Sequence, residues 1–267
     1  MSLLVVRDLA KAFGGVQAVR GVSFDIDARE VVALIGPNGA GKSTCFNLLN
    51  GQLRPDRGSV RLQVHSAVDA AGGIDASRDI TGLRPRDIWR LGVGRTFQIA
   101  ATFASMTVAE NVQMALLSRE RRLLDLWKPA HEQCRAEALE LLAAVGLRGE
   151  ERRPVGELAY GQIKSVELAI ALANRPALLL MDEPTAGMAP PERHALMALI
   201  RELVAARGLS VLFTEHSMDV VFTHADRVLV LARGELIAQG SVEQIRSDAR
   251  VQQAYFGSGK TVPSGVL

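Results

Sequence analysis

The sequence contains a glycine-rich stretch whose composition and spacing are typical of phosphate binding. It follows the apolar run 31–35 and precedes an apolar-rich segment from residue 45, an order that predicts strand, turn and helix. Its residues are Gly36, Pro37, Asn38, Gly39, Ala40, Gly41, Lys42, Ser43 and Thr44. Glycines let successive backbone N–H groups point into one concavity, and a helix start adds its positive dipole end. A glycine-rich turn that binds nothing is the alternative, but the flanking strand and helix favour a nucleotide. We expect Lys42 to contact the β- and γ-phosphates and Ser43 to bind Mg²⁺.

Acidic residues follow a second apolar run, 178–181, which predicts a buried parallel strand. Asp182 and Glu183 would then lie at the carboxyl end of a strand, where ligands bind in open α/β sheets. We expect Asp182 to hold the hydration shell of Mg²⁺ and Glu183 to polarise a water. Two acids that only cap a turn would show the same pattern, but the phosphate loop in the same chain argues against this. His216 follows the predicted strand 209–213 and should reach the same edge. The other histidines are expected to be solvated or structural: His65, His131, His194 and His224.

Three further features are candidates for nucleotide contacts. A short motif precedes a predicted helix over 163–173, and a glycine at a helix start offers free N–H groups to an anion. The motif consists of Leu158, Ala159, Tyr160, Gly161 and Gln162. Phe13, in a loop before the phosphate loop, could stack on adenine or be an ordinary core residue. Gln98, by its own surroundings, is a solvated loop amide.

The elements that must position these residues alternate between strand and helix. The remaining expected strands are 2–7 and 22–26, joined at Gly14 and Gly15, an edge strand 59–64, and a hairpin of 227–231 with 235–238. Expected helices are 45–50, 85–91, 132–145 with Leu139, Leu142 and Val145 on one face, and one opening at Pro191. Capping boxes are expected at Thr107 with Glu110 and at Ser241 with Gln244.

Two segments interrupt this alternation. Residues 65–77 are rich in Ala, Gly, Ser and Asp, and we expect a surface insertion without chemistry. The helical pattern from Thr107 onwards predicts an inserted α-helical subdomain over about 99–165. The expected fold is therefore an α/β phosphate-loop core with a small antiparallel β subdomain and this helical insertion. We expect a single domain over 1–257 and a flexible tail over 258–267.

Composition narrows the classes of function. Among the 267 residues 48% are hydrophobic, and the net charge of +2 gives no case for nucleic acid as a partner. The two cysteines, Cys45 and Cys134, match no metal or redox spacing and are expected to be reduced thiols of a cytosolic protein. The start of the sequence lacks the pattern of a signal peptide, and no apolar run approaches the roughly 20 residues that a membrane span needs.

Taken in order, the phosphate loop, Gln98, the motif 158–162, the Asp182–Glu183 strand and His216 resemble the ABC transporter ATPases. The resemblance covers residues 2 to about 257, and the motif 158–162 corresponds to the family's signature, which other phosphate-loop ATPases lack. Three segments are similar to the branch that serves branched-chain amino-acid importers: 94–98, 106–111 and 214–218. The closing stretch 234–240, with Ile245 and residues 255–257, is similar to that branch too.

The resemblance implies a mechanism and a set of partners. Two cassettes would close head to tail, with each Mg²⁺-bound ATP between one subunit's phosphate loop and the other's signature. Glu183 would be the general base, His216 would contact the γ-phosphate and the attacking water, and Phe13 would stack on adenine. Gln98 would join Mg²⁺ and water and link the site to the membrane subunit. The implied partners are transmembrane permease subunits, a second cassette and, indirectly, a periplasmic substrate-binding protein, with this chain on the cytoplasmic face of the membrane.

The chain departs from the family pattern at two positions. Ala159 stands where the family usually has the serine that meets the partner's γ-phosphate, and Ala189 stands where Asp or Asn is usual. Losing a hydrogen bond to a charged group costs roughly 1.5–3 kcal/mol. Because both changes concern the site shared with the partner, we expect this chain's own phosphate loop to support hydrolysis and the opposite site to be weaker.

Two other functions stay open. A soluble ABC protein acting in DNA repair or translation usually has two cassettes or long coiled coils, and this chain has neither. Ala159 and Ala189 prompt the second alternative, a subunit that dimerises on ATP but barely hydrolyses it. An exporter is disfavoured by the resemblance alone. The branch usually pairs two different cassettes, which favours a heterodimer over a homodimer.

Overall fold

The computed structural model describes residues 2–64, 76–96, 102–120 and 133–256. The strands in these ranges are β1 Ser2–Phe13, β2 Val16–Asp27, β3 Val31–Ile35, β4 Arg57–Val64, β5 Ala76–Asp79, β6 Val93–Thr96, β7 Leu178–Asp182, β8 Ser210–Thr214, β9 Arg227–Ala232 and β10 Glu235–Gly240. The helices are α1 Lys42–Leu49, α2 Pro85–Arg90, α3 Val108–Arg119, α4 Arg135–Ala144, α5 Tyr160–Leu172, α6 Pro190–Arg207, α7 Met218–His224, α8 Val242–Ser247 and α9 Ala249–Phe256. No helix in these ranges has the length and apolar character required to cross a membrane.

A four-stranded antiparallel sheet has the order β2-β1-β4-β5. The predicted turn at Gly14 and Gly15 is confirmed, but the strands on either side of it are longer than expected. The prediction that 59–64 is an edge strand is wrong, because β5 pairs along its outer side, with Arg61 opposite Asp79. β5 also begins at residue 76, so the end of the expected insertion 65–77 is a strand; residues 65–75 lie outside the described ranges.

A six-stranded sheet has the order β10-β9-β3-β8-β7-β6, and its strands are parallel except for β10. Because parallel strands point the same way, the carboxyl ends of β3, β7 and β8 meet at one edge. This brings together segments that are far apart in the chain. The expected α/β architecture with a small antiparallel sheet is confirmed.

Both faces of the six-stranded sheet are covered, which explains the continuous apolar runs in its strands. Side chains of β3 alternate between two cores: Val31 lies in the core shared with the helices, and Val32 lies in the core shared with the antiparallel sheet and α1. All five residues of β3 are buried. The phosphate loop therefore leaves a strand that is fixed on both sides.

The helical segment consists of α3, α4 and α5, which contribute to one core. The capping box of α3 is confirmed: Thr107 Oγ1 accepts the N–H of Glu110 at 3.2 Å, and Glu110 accepts the N–H of Thr107 at 2.7 Å. The box predicted at Ser241 is likewise present at the start of α8. Because α5 continues to Leu172, the helical region runs past residue 165; the division into domain, subdomain and tail stays a prediction.

Several helices differ from their predictions. Helix α1 begins at Lys42, three residues before the predicted start, and α6 begins at Pro190 rather than Pro191. The buried residues of α4 and its end are Ala138, Leu141, Leu142 and Val145, so the expected place of Leu139 on this face is wrong. The helical period puts residue 138, rather than 139, on the face with 141, 142 and 145. Helix α5 begins at Tyr160, three residues before the predicted start.

Candidate nucleotide-binding and hydrolysis site

The loop between β3 and α1 requires glycine at two positions where backbone from elsewhere comes close. A Cβ on Gly41, which has φ of 104°, would lie 2.3 Å from the carbonyl oxygen of Ala18. A Cβ on Gly36 would lie 2.2 Å from the carbonyl oxygen of Leu231. The loop is therefore clamped between β2 and the end of β9, and its glycines are required by contact as well as by conformation.

The start of α1 presents backbone donors. Its first intrahelical hydrogen bond runs from the N–H of Cys45 to the oxygen of Gly41, at 2.9 Å, so the N–H groups of residues 42–44 precede the helical ladder. No acidic side chain occupies the first turn of α1. This combination of donors and helix dipole suits an anion.

Lys42 folds back over the loop that precedes it. Its side chain is buried, and Nζ donates to the carbonyl oxygens of Gly36 at 2.6 Å and Pro37 at 3.3 Å. Burial lowers the pKa of the Lys42 ammonium, and the negative charges of Glu183 and Asp182 oppose that shift. The ammonium thus lies between the loop and the two acids.

A cavity of about 240 Å³ joins the loop to the predicted catalytic residues. Its lining comprises Ala18, Asn38, Gly39, Ala40, Gly41, Lys42, Ser43, Thr44, Glu183 and His216. A larger cavity of about 590 Å³ lies between the β1–β2 hairpin and Asp56, and none of the predicted site residues lines it. Most of the phosphate loop, Glu183 and His216 therefore converge on the smaller cavity.

Glu183 and His216 contact each other beside the phosphate loop. Each follows the carboxyl end of a strand, β7 or β8, and the two strands are neighbours. His216 Nε2 lies 2.9 Å from Glu183 Oε1; because the carboxylate can only accept, Nε2 carries the proton in this contact. Glu183 has a positive φ of 49°, which is uncommon for a residue with a Cβ and turns its side chain away from the direction of β7.

Asp182 is held by groups that the sequence analysis did not single out. Thr214 Oγ1 donates to Asp182 Oδ1 at 2.7 Å and accepts the N–H of Glu183 at 3.0 Å. Arg95 Nη2 lies 3.6 Å from Asp182 Oδ2. The Asp182 carboxylate and the Ser43 hydroxyl are hard oxygen donors of the kind that Mg²⁺ takes together with phosphate oxygens and waters, so the residues present fit this ion.

Glu215, also missed from the sequence, is a buried carboxylate with 4% of its surface exposed. Its Oε1 accepts from the N–H and hydroxyl of Thr185, at 2.9 and 2.6 Å, and its Oε2 accepts the N–H of His216 at 3.1 Å. It therefore connects the turn after Glu183 to the histidine. The signal in the sequence was an acid directly before His216, but the residue that it holds is 30 positions away.

The motif 158–162 lies away from this cavity. Leu158 is buried in the core, while Ala159, Gly161 and Gln162 line a separate cavity of about 320 Å³ together with Met188. Helix α5 starts here without a side-chain cap: Ala159 has only a methyl group, and Gln162 Oε1 accepts the Ala159 N–H at 3.1 Å. One chain alone does not bring this motif to its own phosphate loop.

Phe13 and Gln98 complete the predicted set. Phe13 ends β1 with 47% of its surface exposed, so the alternative of an ordinary core residue is wrong. Its ring does not line the small cavity, although Ala18, on the next strand of the same hairpin, does. Gln98 lies outside the residues that the structure describes.

A glycine-rich phosphate loop between strand and helix, with an acid–histidine pair at the neighbouring strand ends, defines a nucleotide-binding cassette of the phosphate-loop class. The family model described as ABC transporter matches residues 19–186, and that described as branched-chain amino acid ATP-binding cassette transporter matches residues 235–261. The chain belongs to the ABC transporter family of ATP-binding cassettes, as the sequence predicted. Members of this family bind nucleotide, and the chain is an ATPase.

Named relatives agree along nearly the whole chain. The chain is 38% identical over 265 residues to the high-affinity branched-chain amino acid transport ATP-binding protein BraF of Pseudomonas aeruginosa, covering 96% of this chain and 98% of the relative. It is 36% identical over 262 residues to the protein LivG of Escherichia coli K12, which carries the same description, with the same coverage.

Solved structures agree with the fold. A crystal structure of the ADP conformation of an ATP-binding cassette of an ABC transporter matches with a TM-score of 0.83 and 32% identity, covering 97% of this chain and 100% of that one. The dimeric structure of a bacterial ABC transporter cassette matches with a TM-score of 0.72 and 25% identity, covering 90% of this chain and 98% of that one.

Proposed function

We propose that this chain is the ATP-hydrolysing subunit of an importer for branched-chain or other hydrophobic amino acids. The named relatives are branched-chain amino acid transport ATP-binding proteins, and a second family model with that description matches residues 235–261. The observation that carries the catalytic part is the contact between His216 and Glu183 at the mouth of the phosphate-loop cavity.

Each residue of the cavity has a role that its geometry suits. Glu183 is the general base that takes a proton from the attacking water. His216 donates its Nε2–H to that carboxylate before ATP binds and transfers this hydrogen bond to the γ-phosphate when ATP is present. Lys42 exchanges its two carbonyl partners for phosphate oxygens, which are stronger acceptors because they are charged. Backbone N–H groups of the loop, over residues 38–44, hold the remaining phosphate oxygens, and Phe13 stacks on adenine.

Mg²⁺ would be held by Ser43, by Asp182 through water, and by Gln98. Bound there, the ion would supply charge neutralisation at the phosphate oxygens. Thr214 orients the Asp182 carboxylate by a hydrogen bond of 2.7 Å, which leaves Oδ2 as the oxygen facing other partners.

The start of α5 serves the ATP of a second cassette, since it lines a cavity apart from the chain's own phosphate loop. The dimeric cassette structure that this fold matches supports such an arrangement. We propose a heterodimer bound to permease subunits at the cytoplasmic face of the membrane, supplied by a periplasmic substrate-binding protein. ATP-driven closure of the dimer then changes the conformation of the permease.

The test of the catalytic role is Glu183→Gln in the assembled transporter. Loss of the base should lower ATP turnover by about a hundredfold or more, while ATP binding persists because the loop and Lys42 are unchanged. Glu202→Gln, an exposed acid of α6, is the matched control and should retain full turnover. Turnover close to wild type in Glu183→Gln would contradict the assignment.

The methyl groups of Ala159 and Ala189 favour a second candidate, a cassette that closes on ATP but hydrolyses it weakly. Comparing Mg²⁺-ATP turnover with dimerisation in ATP separates the two functions. Purification of the chain from detergent-solubilised native membranes tests the transport role: a multi-span permease and a second cassette should accompany it. Recovery with soluble partners or nucleic acid alone would refute transport and leave an ATPase.

A further inference from the structure

Arg95, on β6, is a largely buried cation that approaches Asp182 of the candidate site. Its side chain is 13% exposed, and Nη1 donates to Asn47 Oδ1 and to Gln52 Oε1, each at 2.9 Å. Nη2 lies 3.6 Å from Asp182 Oδ2. The guanidinium therefore joins the phosphate-loop helix α1, and Gln52 in the turn after it, to the acid proposed to serve Mg²⁺.

Arg95 contacts both neutral and charged groups. Asn47 and Gln52 contribute amide oxygens, which fix the guanidinium plane without neutralising it, whereas Asp182 contributes an ionised carboxylate. Burial lowers the pKa of Arg95, and the charge of Asp182 opposes that shift. The position follows from sheet register: β6 pairs with β7 so that Arg95 lies opposite Leu180, two residues before Asp182.

Two cations that approach one carboxylate repel each other. Thr214 already holds Oδ1 of Asp182, and Arg95 is the charged neighbour of Oδ2. A divalent ion that arrives alone would meet a carboxylate whose charge Arg95 has partly neutralised. The same ion accompanied by nucleotide phosphates brings compensating negative charge, so the repulsion matters less.

We propose that Arg95 is a positioning residue. Its guanidinium pairs with the Asp182 carboxylate as a divalent cation otherwise would, so that the metal binds together with the nucleotide rather than before it. This inference rests on the proposed function in one respect, the role of Asp182 toward Mg²⁺. In the sequence, Arg95 lies three residues before Gln98.

The experiment uses Mn²⁺ as the probe and measures free Mn²⁺ by electron paramagnetic resonance, with and without ADP, so that no turnover is needed. Arg95→Gln removes the charge, and Arg95→Met removes it without leaving an amide. Arg95→Lys keeps the charge. Arg227→Gln is the matched control, because Arg227 is also a mostly buried partner of an acid, 2.6 Å from Glu30, and does not line the cavity.

Without ADP, Arg95→Gln and Arg95→Met should bind Mn²⁺ at least about threefold more tightly than the wild type, from the removal of one nearby charge. With ADP the gain should be smaller. Arg95→Lys and Arg227→Gln should stay near the wild type. Unchanged or weaker Mn²⁺ binding without ADP, in a charge-removing variant that retains ADP binding, would overturn the proposal.

Asp182→Asn distinguishes this failure from that of the proposed function. Should wild type and Asp182→Asn bind Mn²⁺ in the presence of ADP equally well, the role of Asp182 is refuted and the inference falls with it. Should Asp182→Asn weaken Mn²⁺ binding while Arg95→Gln does not strengthen it, the role of Arg95 alone is refuted.

Discussion

Two helix starts in this chain, those of α1 and α5, face anions in the proposed mechanism but are equipped very differently. The start of α1 has Lys42 inside the loop and the Glu183–His216 pair across the cavity. The start of α5 has Ala159, whose methyl group can neither accept nor donate a hydrogen bond. Both present backbone N–H groups that precede the first intrahelical hydrogen bond.

The difference indicates which of the two anion-binding surfaces has its charged groups positioned by contacts within one chain. Around α1, the charged groups already hold partners of the same chain: Lys42 donates to carbonyl oxygens, and Glu183 contacts His216. Around α5, the N–H groups depend on an anion from elsewhere, and Tyr160 is 45% exposed beside them. Preorganised charge thus belongs to the chain's own phosphate loop, whereas in the proposed mechanism a second cassette completes the surface at the start of α5.

Among the residues that support the site at α1, the largest effect on turnover is expected at Glu215, which accepts the N–H of His216. In Glu215→Gln, the amide nitrogen in place of Oε2 would face the N–H of His216, and two donors would oppose each other. Displacement of His216 from Glu183 should lower turnover about tenfold or more, and stability should fall by roughly 1–3 kcal/mol. Steady-state ATPase assays and urea unfolding measure the two effects.

Glu235→Gln is the control for Glu215, because Glu235 is an exposed acid on β10. It should change neither turnover nor unfolding. Thr185→Val, which removes the hydroxyl that donates to Glu215 Oε1, should cost stability while His216 keeps its acceptor. If Glu215→Gln retained full turnover, His216 would not depend on this support.

Local patterns were sufficient for the parts of the site that are continuous in sequence. The phosphate loop is predicted from its own glycines and the apolar run before it. Asp182 and His216 are predicted from the apolar strands that precede them. These signals depend on residues a few positions apart, so chain order alone reveals them. The same holds for the capping box at Thr107, whose partner is three residues away.

The supporting residues depend on strand order, which local patterns do not contain. Arg95 reaches Asp182 because β6 lies beside β7, and Thr214 does so because β8 lies on the other side. The error at β4 has the same origin: alternation along 59–64 shows a strand but not that β5 covers its outer side. Side chains that support the site across neighbouring strands were therefore missed, even where, like Thr214, they end a strand.

A smaller effect, on stability alone, is expected at α3 and α4, the helices that pack with α5. Glu137 on α4 accepts from Arg119 of α3, with both contacts at 2.7 Å, and from Arg175 at 3.0 Å. The hydrogen bonds from Arg119, opposed by burial, lower the pKa of Glu137 from 4.5 to about 2. A carboxyl whose pKa is lower in the folded state stabilises the fold above its unfolded pKa, and this contribution is lost as the pH falls toward 2.

Glu137→Gln should therefore reduce the free energy of unfolding at pH 7 by roughly 1–2 kcal/mol, a value discounted for the partial exposure of the pair. The difference from wild type should shrink between about pH 5 and pH 2, as measured by urea unfolding at several pH values. Glu140→Gln, an exposed acid on the same helix, is the control. ADP binding to the phosphate loop should not change; a loss of ADP affinity would show that the two surfaces are not independent.

The smallest effect, a gain in turnover, is expected when a hydroxyl is introduced at the start of α5. Ala159→Ser places a hydroxyl at the position before Tyr160, where serine is a favoured helix cap and could also donate to a partner's phosphate. Turnover of the assembled transporter should rise a few-fold, up to about tenfold, while the isolated chain binds ADP as before. Combined with Glu183→Gln, the substitution should still raise the residual turnover, because Ala159 serves the partner's ATP and Glu183 the chain's own. An increase that disappears in Glu183→Gln would instead place Ala159 at the chain's own nucleotide and remove the distinction between the two helix starts.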